Sequence, residues 1–193
     1  VAATLTATQF EESKNPQSFF SLTNTIAGWS EIFPQFKKGT YTSNADGTVS
    51  YTNFGAGVMF LPSGLAYYAS SSGSIPSYSP LVFSFKLYEI QRLDQDADGI
   101  PSYLEDLNGD GYMNDFRNTV NYPTSVTSNP DDTDADGIPN YLDVDDDGDN
   151  YTTKLEIKDP ISGSSIPFAL IPDCSGNTTS ATRVKKHLDK NCH

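Results

Sequence analysis

Long apolar runs are missing from this chain of 193 residues. No stretch of 18 or more apolar residues exists, so no membrane-spanning helix is expected. Histidine is scarce: His187 and His193 both lie in the tail, leaving the rest of the chain without an imidazole for base catalysis. Cysteine is limited to Cys174 and Cys192, which either bridge a tail loop in an oxidising compartment or stay as free thiols. Positive charge is short, with 12 Lys and Arg against 25 Asp and Glu, so the basic stripe expected of a nucleic-acid binder is absent. Val1 is neither an initiator Met nor the start of a basic-then-apolar leader, which reads as a chain that is processed or lacks its beginning.

What is abundant is acid, and it is concentrated. Of the 25 acidic residues, 16 fall between Asp94 and Asn150, against one basic residue, Arg117. The stretch DQDADGIPSYLE (94–105) recurs as DTDADGIPNYLD (132–143) after 38 residues. Each copy runs into a partial one, DLNGDG from Asp106 and DVDDDGD from Asp143.

Carboxylates at positions 1, 3 and 5, Gly at 6, a carbonyl at 7 and an acid at 12 are what a calcium loop needs. The first clean copy supplies Asp94, Asp96, Asp98, the Ile100 carbonyl and Glu105. The second supplies Asp132, Asp134, Asp136, the Ile138 carbonyl and Asp143. The partial copies offer Asp106, Asn108, Asp110 and the Tyr112 carbonyl, then Asp143, Asp145, Asp147 and the Asp149 carbonyl. Arg117 and Lys154 fall at position 12 of these two, so they must borrow ligands or bind weakly. Two calcium ions are expected, and up to four. A solvated acidic run has no need of Gly at position 6 twice, nor of the Ile-Pro-x-Tyr-Leu insert that reads as a small apolar staple. The loops abut with no room for flanking helices. The array resembles thrombospondin type 3-like calcium repeats, which implies that calcium serves as the core of this region.

Ahead of the array, Thr-Leu-Thr-Ala-Thr (4–8) and Ser-Phe-Phe-Ser-Leu (18–22) read as short strands. Trp29, Ile32, Phe33 and Phe36 fall on one helical face. Pro34 limits that helix, and Lys37-Lys38-Gly39 is expected to close it. Thr40–Gly57 reads as a hairpin region with Asp46-Gly47 as its turn. Leu81, Phe83, Phe85 and Leu87 alternate with polar neighbours as a strand. After Asn150, Tyr151–Lys158 is a strand or short helix, and 163–172 is a loop. The basic segment Thr182–Leu188 either pairs with the acidic array or is a solvated tail.

Three pieces of the first ninety residues, Ile26-x-Gly28-Trp29, Phe60-Leu61-Pro62-Ser63-x-Leu65-Ala66-Tyr67 and Ile75-Pro76-x-x-x-Pro80-Leu81-Val82-Phe83, together resemble the FKBP-type peptidyl-prolyl isomerase domain. The resemblance implies an α+β fold, an antiparallel sheet around one short helix, with a pocket for a proline ring. Trp29 would be its floor, and Phe10, Ile26 and Phe83 its walls. The Ile26 N–H and the Tyr67 hydroxyl would bond substrate carbonyls. Ile75 would overlie the pocket, and Glu11 would replace the family's acidic residue. Such a site weakens amide resonance by moving the X-Pro bond into an apolar pocket, lowering a barrier of about 18–20 kcal/mol without a nucleophile.

The domains expected are 1–92, FKBP-like; 93–150, irregular calcium repeats; and 151–193, a tail. The expected function is prolyl isomerisation of exported, proline-containing polypeptides. Alternatively, the front domain is a degenerate docking module of an outer-membrane or secretion complex, since no Tyr precedes Tyr41 and Tyr68 stands where that family has Gly. The architecture also resembles Gram-negative surface lipoproteins, which implies an exported protein held at the outer membrane only through an upstream lipid anchor, with no nucleic-acid partner.

Overall fold

Alternation from Leu81 to Leu87 builds a strand whose inner residues, Leu81, Phe83, Phe85 and Leu87, are buried or half-buried while Val82, Ser84 and Lys86 face solvent. The structure is a computed structural model and describes residues 8–14, 18–124 and 128–192. The chain divides into two units, Val1–Gln91 and Arg92–His193. The first expected strand, residues 4–8, lies almost wholly outside the described residues.

In the first unit, α1 (Ala27–Ile32) is followed by β1 (Thr40–Ser43), β2 (Val49–Thr52), β3 (Gly55–Leu61) and β4 (Leu81–Leu87). This is a small α+β arrangement with two antiparallel ribbons, β1–β2 and β3–β4. The expected FKBP-like sheet wrapped around a helix is corrected to these two separate ribbons. The break between them is local: Asn53 adopts a left-handed backbone (φ 57°), and the N–H of Gly55, the first residue of β3, turns to the Lys37 carbonyl. Residues 18–21 form no strand, and Phe19 and Phe20 are exposed.

Pro34 acts as its chemistry requires. The α-helix stops at Ile32, and Phe33–Gln35 tightens into a 3-10 turn with Pro in its first positions. Gly39 does not cap this segment in a left-handed conformation. It is small because a Cβ there would sit 2.9 Å from the Thr52 carbonyl oxygen. The core is Met59, Leu61, Ile75 and Leu81, with Ile26, Trp29, Ile32, Phe33, Phe83 and Phe85 packed on it.

Gly28 is the point of closest approach between α1 and β3, since a Cβ would lie 2.6 Å from both methyls of buried Leu61. Gly28→Ala should therefore destabilise the first unit. Overpacking costs about 1–3 kcal/mol, and the better helix propensity of Ala offsets up to about 1 kcal/mol of that. A lowered denaturation midpoint is the expected reading; a raised one would mean that Leu61 swings away freely.

The second unit has little regular structure: one short helix, α2 (Thr153–Glu156), and several 3-10 turns. Pro101 and Pro139 each start a turn, Ser102–Leu104 and Asn140–Leu142, from the repeated Ile-Pro-x-Tyr-Leu. Its buried apolar set is Ile100, Ile157 and Ile171, backed by Leu104, Ile166 and Phe168. Cys174 and Cys192 form a disulfide that closes the tail. Within Thr182–Leu188, Arg183 donates to the carbonyls of Ala169, Ile171 and Ser180, and the Lys185 ammonium lies 3.8 Å from the Phe168 ring centre. Among the described residues this segment makes no salt bridge with the acidic array.

Candidate metal centre

One set of hydrogen bonds builds four loops, starting at Asp94, Asp106, Asp132 and Asp145. The amide at position 6 donates to Oδ2 of the first Asp: Gly99 to Asp94 (3.1 Å), Gly111 to Asp106 (2.8 Å), Gly137 to Asp132 (3.0 Å) and Asn150 to Asp145 (3.0 Å). The amide at position 5 donates to the side chain at position 3 in all four. The amide at position 7 donates to the carboxylate at position 5, from Ile100, Tyr112, Ile138 and Tyr151. Positions 4 and 6 are left-handed throughout, including Ala97 (φ 64°), Ala135 (φ 62°) and Asn150 (φ 75°). Asn tolerates that conformation better than most residues, which is why it can stand in for Gly at 150.

These bonds correct the fourth loop by two residues. It begins at Asp145, not Asp143, so its position 7 carbonyl belongs to Tyr151 rather than Asp149. Its position 12 is Glu156, not Lys154. Asp143 is position 12 of the third loop. Lys154 instead donates to the Ala97 carbonyl of the first loop at 2.9 Å.

Three of the loops carry a further clasp. The side chain at position 9 accepts from the amide at position 2: Ser102 from Gln95, Asn140 from Thr133, Thr153 from Asp146. The position 9 amide reaches back to the carbonyl just before the loop, at Leu93, Asp131 and Val144. All three clasp residues are buried.

The carboxylates converge. Oxygens of Asp94, Asp96 and Asp98 lie within 4.8 Å of one another, and so do those of Asp132, Asp134 and Asp136, and of Asp145, Asp147 and Asp149. A fourth group, Asp98, Glu105 and Asp146, is buried throughout. The second unit buries seven carboxylates, Asp98, Glu105, Asp131, Asp143, Asp146, Asp147 and Glu156, and among the described residues no Lys or Arg is buried beside them. Many carboxylate oxygens of this unit, on these and on half-buried residues, have no hydrogen-bond partner: Oδ2 of Asp96, Asp98 and Asp147, Oδ1 of Asp132 and Asp145, and both oxygens of Glu105, Asp146 and Glu156. Buried carboxylates in such a state are costly unless a cation or proton answers them.

Their acidities say the same. Burial, then the charge of Asp146, pushes Glu105 up to about 10. Burial, then Asp98, raises Asp146 to about 9. Glu156 rises to about 8 by burial and then through Asp147 and Asp149. Burial raises Asp96 to about 7, with Asp98 next, and Asp98 itself to about 6. Asp147 also reaches about 6, by burial and then Asp149. Asp143 is raised by burial, then by Asp136 and Asp134 of the third loop.

The second loop differs. Its carboxylates are consumed internally: Asp106 accepts from three amides, and the Asn108 side chain donates to Asp110 Oδ2 at 2.9 Å. Arg117, at its position 12, is committed to Asp115 through two hydrogen bonds. Leu107 donates its amide to buried Asp131, which ties this loop to the chain before the third. Asp106, Asn108, Asp110 and the Tyr112 carbonyl thus form a self-satisfied turn.

In the first unit, Phe10, Glu11, Tyr67 and Ile75 line a shallow hollow of about 190 Å³ together with Ser72, Gly73 and Ser74. Trp29, Ile26 and Phe83 do not line it. Trp29 is met edge-on by Phe20, Phe33 and Phe83, and Phe10 reaches Phe83 at 5.7 Å between ring centres. The indole Nε1 is buried without a partner.

Sequence reasoning missed three residues, the Tyr151 carbonyl being lost with the two-residue shift of the fourth loop. Glu156 was detectable from its spacing of 11 from Asp145, once Asn is allowed at position 6. Asp146 carries no such signal, because only the fold brings it to Asp98 and Glu105.

The family model described as BamM C-terminal matches residues 95–181, less than half of the chain and wholly inside the second unit. No curated protein matches, and no solved structure matches. This finding corrects the resemblances drawn from sequence: the family found is neither an FKBP-type isomerase domain nor a thrombospondin type 3-like repeat. Across residues 95–181, from the first acidic loop to the segment before the basic tail, the chain is similar to the BamM C-terminal family.

Proposed function

We propose that this chain is a non-catalytic docking module of an outer-membrane protein assembly complex, and that calcium ions in its second unit hold that unit folded. The match to the BamM C-terminal family, which is related to the outer-membrane BAM complex, carries the first part and favours docking over isomerisation. The same match supports a place in the envelope of a Gram-negative bacterium. No helix among the described residues is long and apolar enough to cross a membrane.

Chemistry supports the calcium part. The first, third and fourth loops each offer three convergent carboxylates, a position 7 carbonyl and a buried acid at position 12: Glu105, Asp143 and Glu156. A set of six or more oxygens suits calcium, whereas magnesium keeps several waters and a strict octahedron. A bound ion supplies positive charge where seven buried carboxylates have none. The number of loop ions is then three, and the second loop stays empty.

The outward face of β3–β4 supports docking. Val58, Phe60 and Val82 are exposed on one face, with Phe60 paired to Val82 across the ribbon and 76 % exposed. Exposed apolar clusters of this kind mark interaction surfaces, and buried aromatics commonly dominate their energy.

The test is affinity purification of the tagged full chain from calcium-containing detergent extracts of its own outer membrane. A subunit of an outer-membrane protein assembly complex should be recovered in near-stoichiometric amount. The double change Phe60→Ser and Val82→Thr, both on solvent-facing positions, should cut that recovery at least about tenfold, as expected when about 1.4 kcal/mol of contact is removed. A wild-type chain that recovers no assembly subunit would sink the proposal.

A further inference from the structure

The loop pattern assigns one ion to the first loop, yet five carboxylates converge there. Asp94, Asp96 and Asp98 form one group, and Asp98, Glu105 and Asp146 form another, with Asp98 common to both. Asp146 belongs to the fourth loop but does not serve it. It sits at position 2, where the first and third loops have Gln95 and Thr133, and its amide is clasped to Thr153 Oγ1. Asp146 is 2 % exposed, and both its oxygens lack a partner. Glu105 is 3 % exposed, and both its oxygens also lack one. One oxygen each of Asp98, Glu105 and Asp146, from two loops, thus lies within 4.8 Å of the others, and Asp98 Oδ2 is itself unpartnered.

Resting on the calcium reading above, we propose that Asp98, Glu105 and Asp146 hold a second calcium ion beside that of the first loop, with Asp98 and the position 12 acid Glu105 shared between the two. Charge argues for two ions rather than one with an extra ligand. One dication and the Lys154 ammonium, bonded to the Ala97 carbonyl of this loop, leave two of the five negative charges unanswered. Two dications and Lys154 balance all five. Three of the five, Asp98, Glu105 and Asp146, are buried, where an unanswered charge is costly, so the balanced state wins. The second ion also has a structural consequence. It clamps the first loop to the fourth, the two ends of the acidic array, whereas the loop ions close only their own turns.

The full chain, stripped of metal, is dialysed to equilibrium against radioactive calcium in physiological salt with excess magnesium, which suppresses loose surface binding. Four ions per wild-type chain are expected, and three for Asp146→Asn, which keeps the side chain's shape. Three ions in the wild type overturn the inference, as do four in both proteins. A wild type that binds none instead overturns the calcium reading itself, so the two failures are distinguishable. Should the variant fail to fold, Asp110→Asn in the second loop decides: a count of four that falls to three there places the fourth ion in that loop and overturns the inference.

Discussion

Stripping calcium from the full chain is expected to leave the second unit only marginally folded and the first unchanged. The second unit has three fully buried isoleucines, worth about 1.5–3 kcal/mol each. Its buried polar set, with seven carboxylates, works against folding when no cation is bound. An ion present at a hundred times its dissociation constant contributes about 2.7 kcal/mol. Three loop ions then contribute about 8 kcal/mol, comparable with the 5–15 kcal/mol net stability of a whole domain. Removing them removes most of the margin. The disulfide between Cys174 and Cys192 keeps the tail closed but does not reach the loops. Amide hydrogen exchange, read by peptide with millimolar calcium and then with chelator, should show protection at 98–105 and 131–158 falling at least about a hundredfold. Peptides from β3 and β4 should not change. Glu156→Gln in calcium should reproduce the loss in the fourth loop alone. Equal protection of the loops with and without chelator would sink the metal reading.

The parts that were legible in sequence are those fixed by neighbours along the chain. The Leu81–Leu87 alternation needs only a sheet with one wet face, and Pro34 ends a helix wherever it stands. The loops at Asp94 and Asp132 announce themselves through Gly at position 6 and acid at position 12. The fourth loop was misplaced because Asn150 fills the left-handed position normally given to Gly, which shifted the count by two. Through-space relations left no trace. Asp146 meets Asp98 and Glu105 only because the loops fold onto one another, and Arg117 leaves the second loop for Asp115. The aromatic pieces around Trp29 were read as a pocket. They fixed local structure but not how many strands would join, and Phe20 and Phe33 pack against the indole. The hollow beside it gathers Phe10, Glu11, Tyr67 and Ile75 without its intended floor. Short motifs specify contacts, whereas a family is specified by how many elements share one core.

Calcium is also expected to reverse the sign of the second unit's pH dependence. In the metal-free protein, Asp98, Glu156, Asp146 and Glu105 titrate at about 6, 8, 9 and 10, all above their unfolded values. A raised folded value means that the folded state holds the proton more tightly. Stability from these groups is therefore fully present below about pH 4 and is lost as pH rises through those values. His187 acts in the opposite sense. Burial, then Lys185 and Lys186, holds it down to about 3, so its contribution is present above about 6.5 and fades as pH falls. Each pH unit crossed by such a group is worth at most about 1.4 kcal/mol. Between pH 5 and 8 these four carboxylates, with Asp96 and Asp147 raised to about 7 and 6, oppose one imidazole, so the carboxylates set the sign. The metal-free midpoint should fall from pH 5 to pH 8. In saturating calcium the same oxygens are held by ions, and protons become competitors. Lowering the pH then removes stabilisation, so the midpoint should rise from pH 5 to pH 8. Thermal melts of the full chain, metal-free after passage over chelating resin and again in excess calcium, give both slopes. Two slopes of the same sign would show that the buried carboxylates are answered by something other than a metal ion.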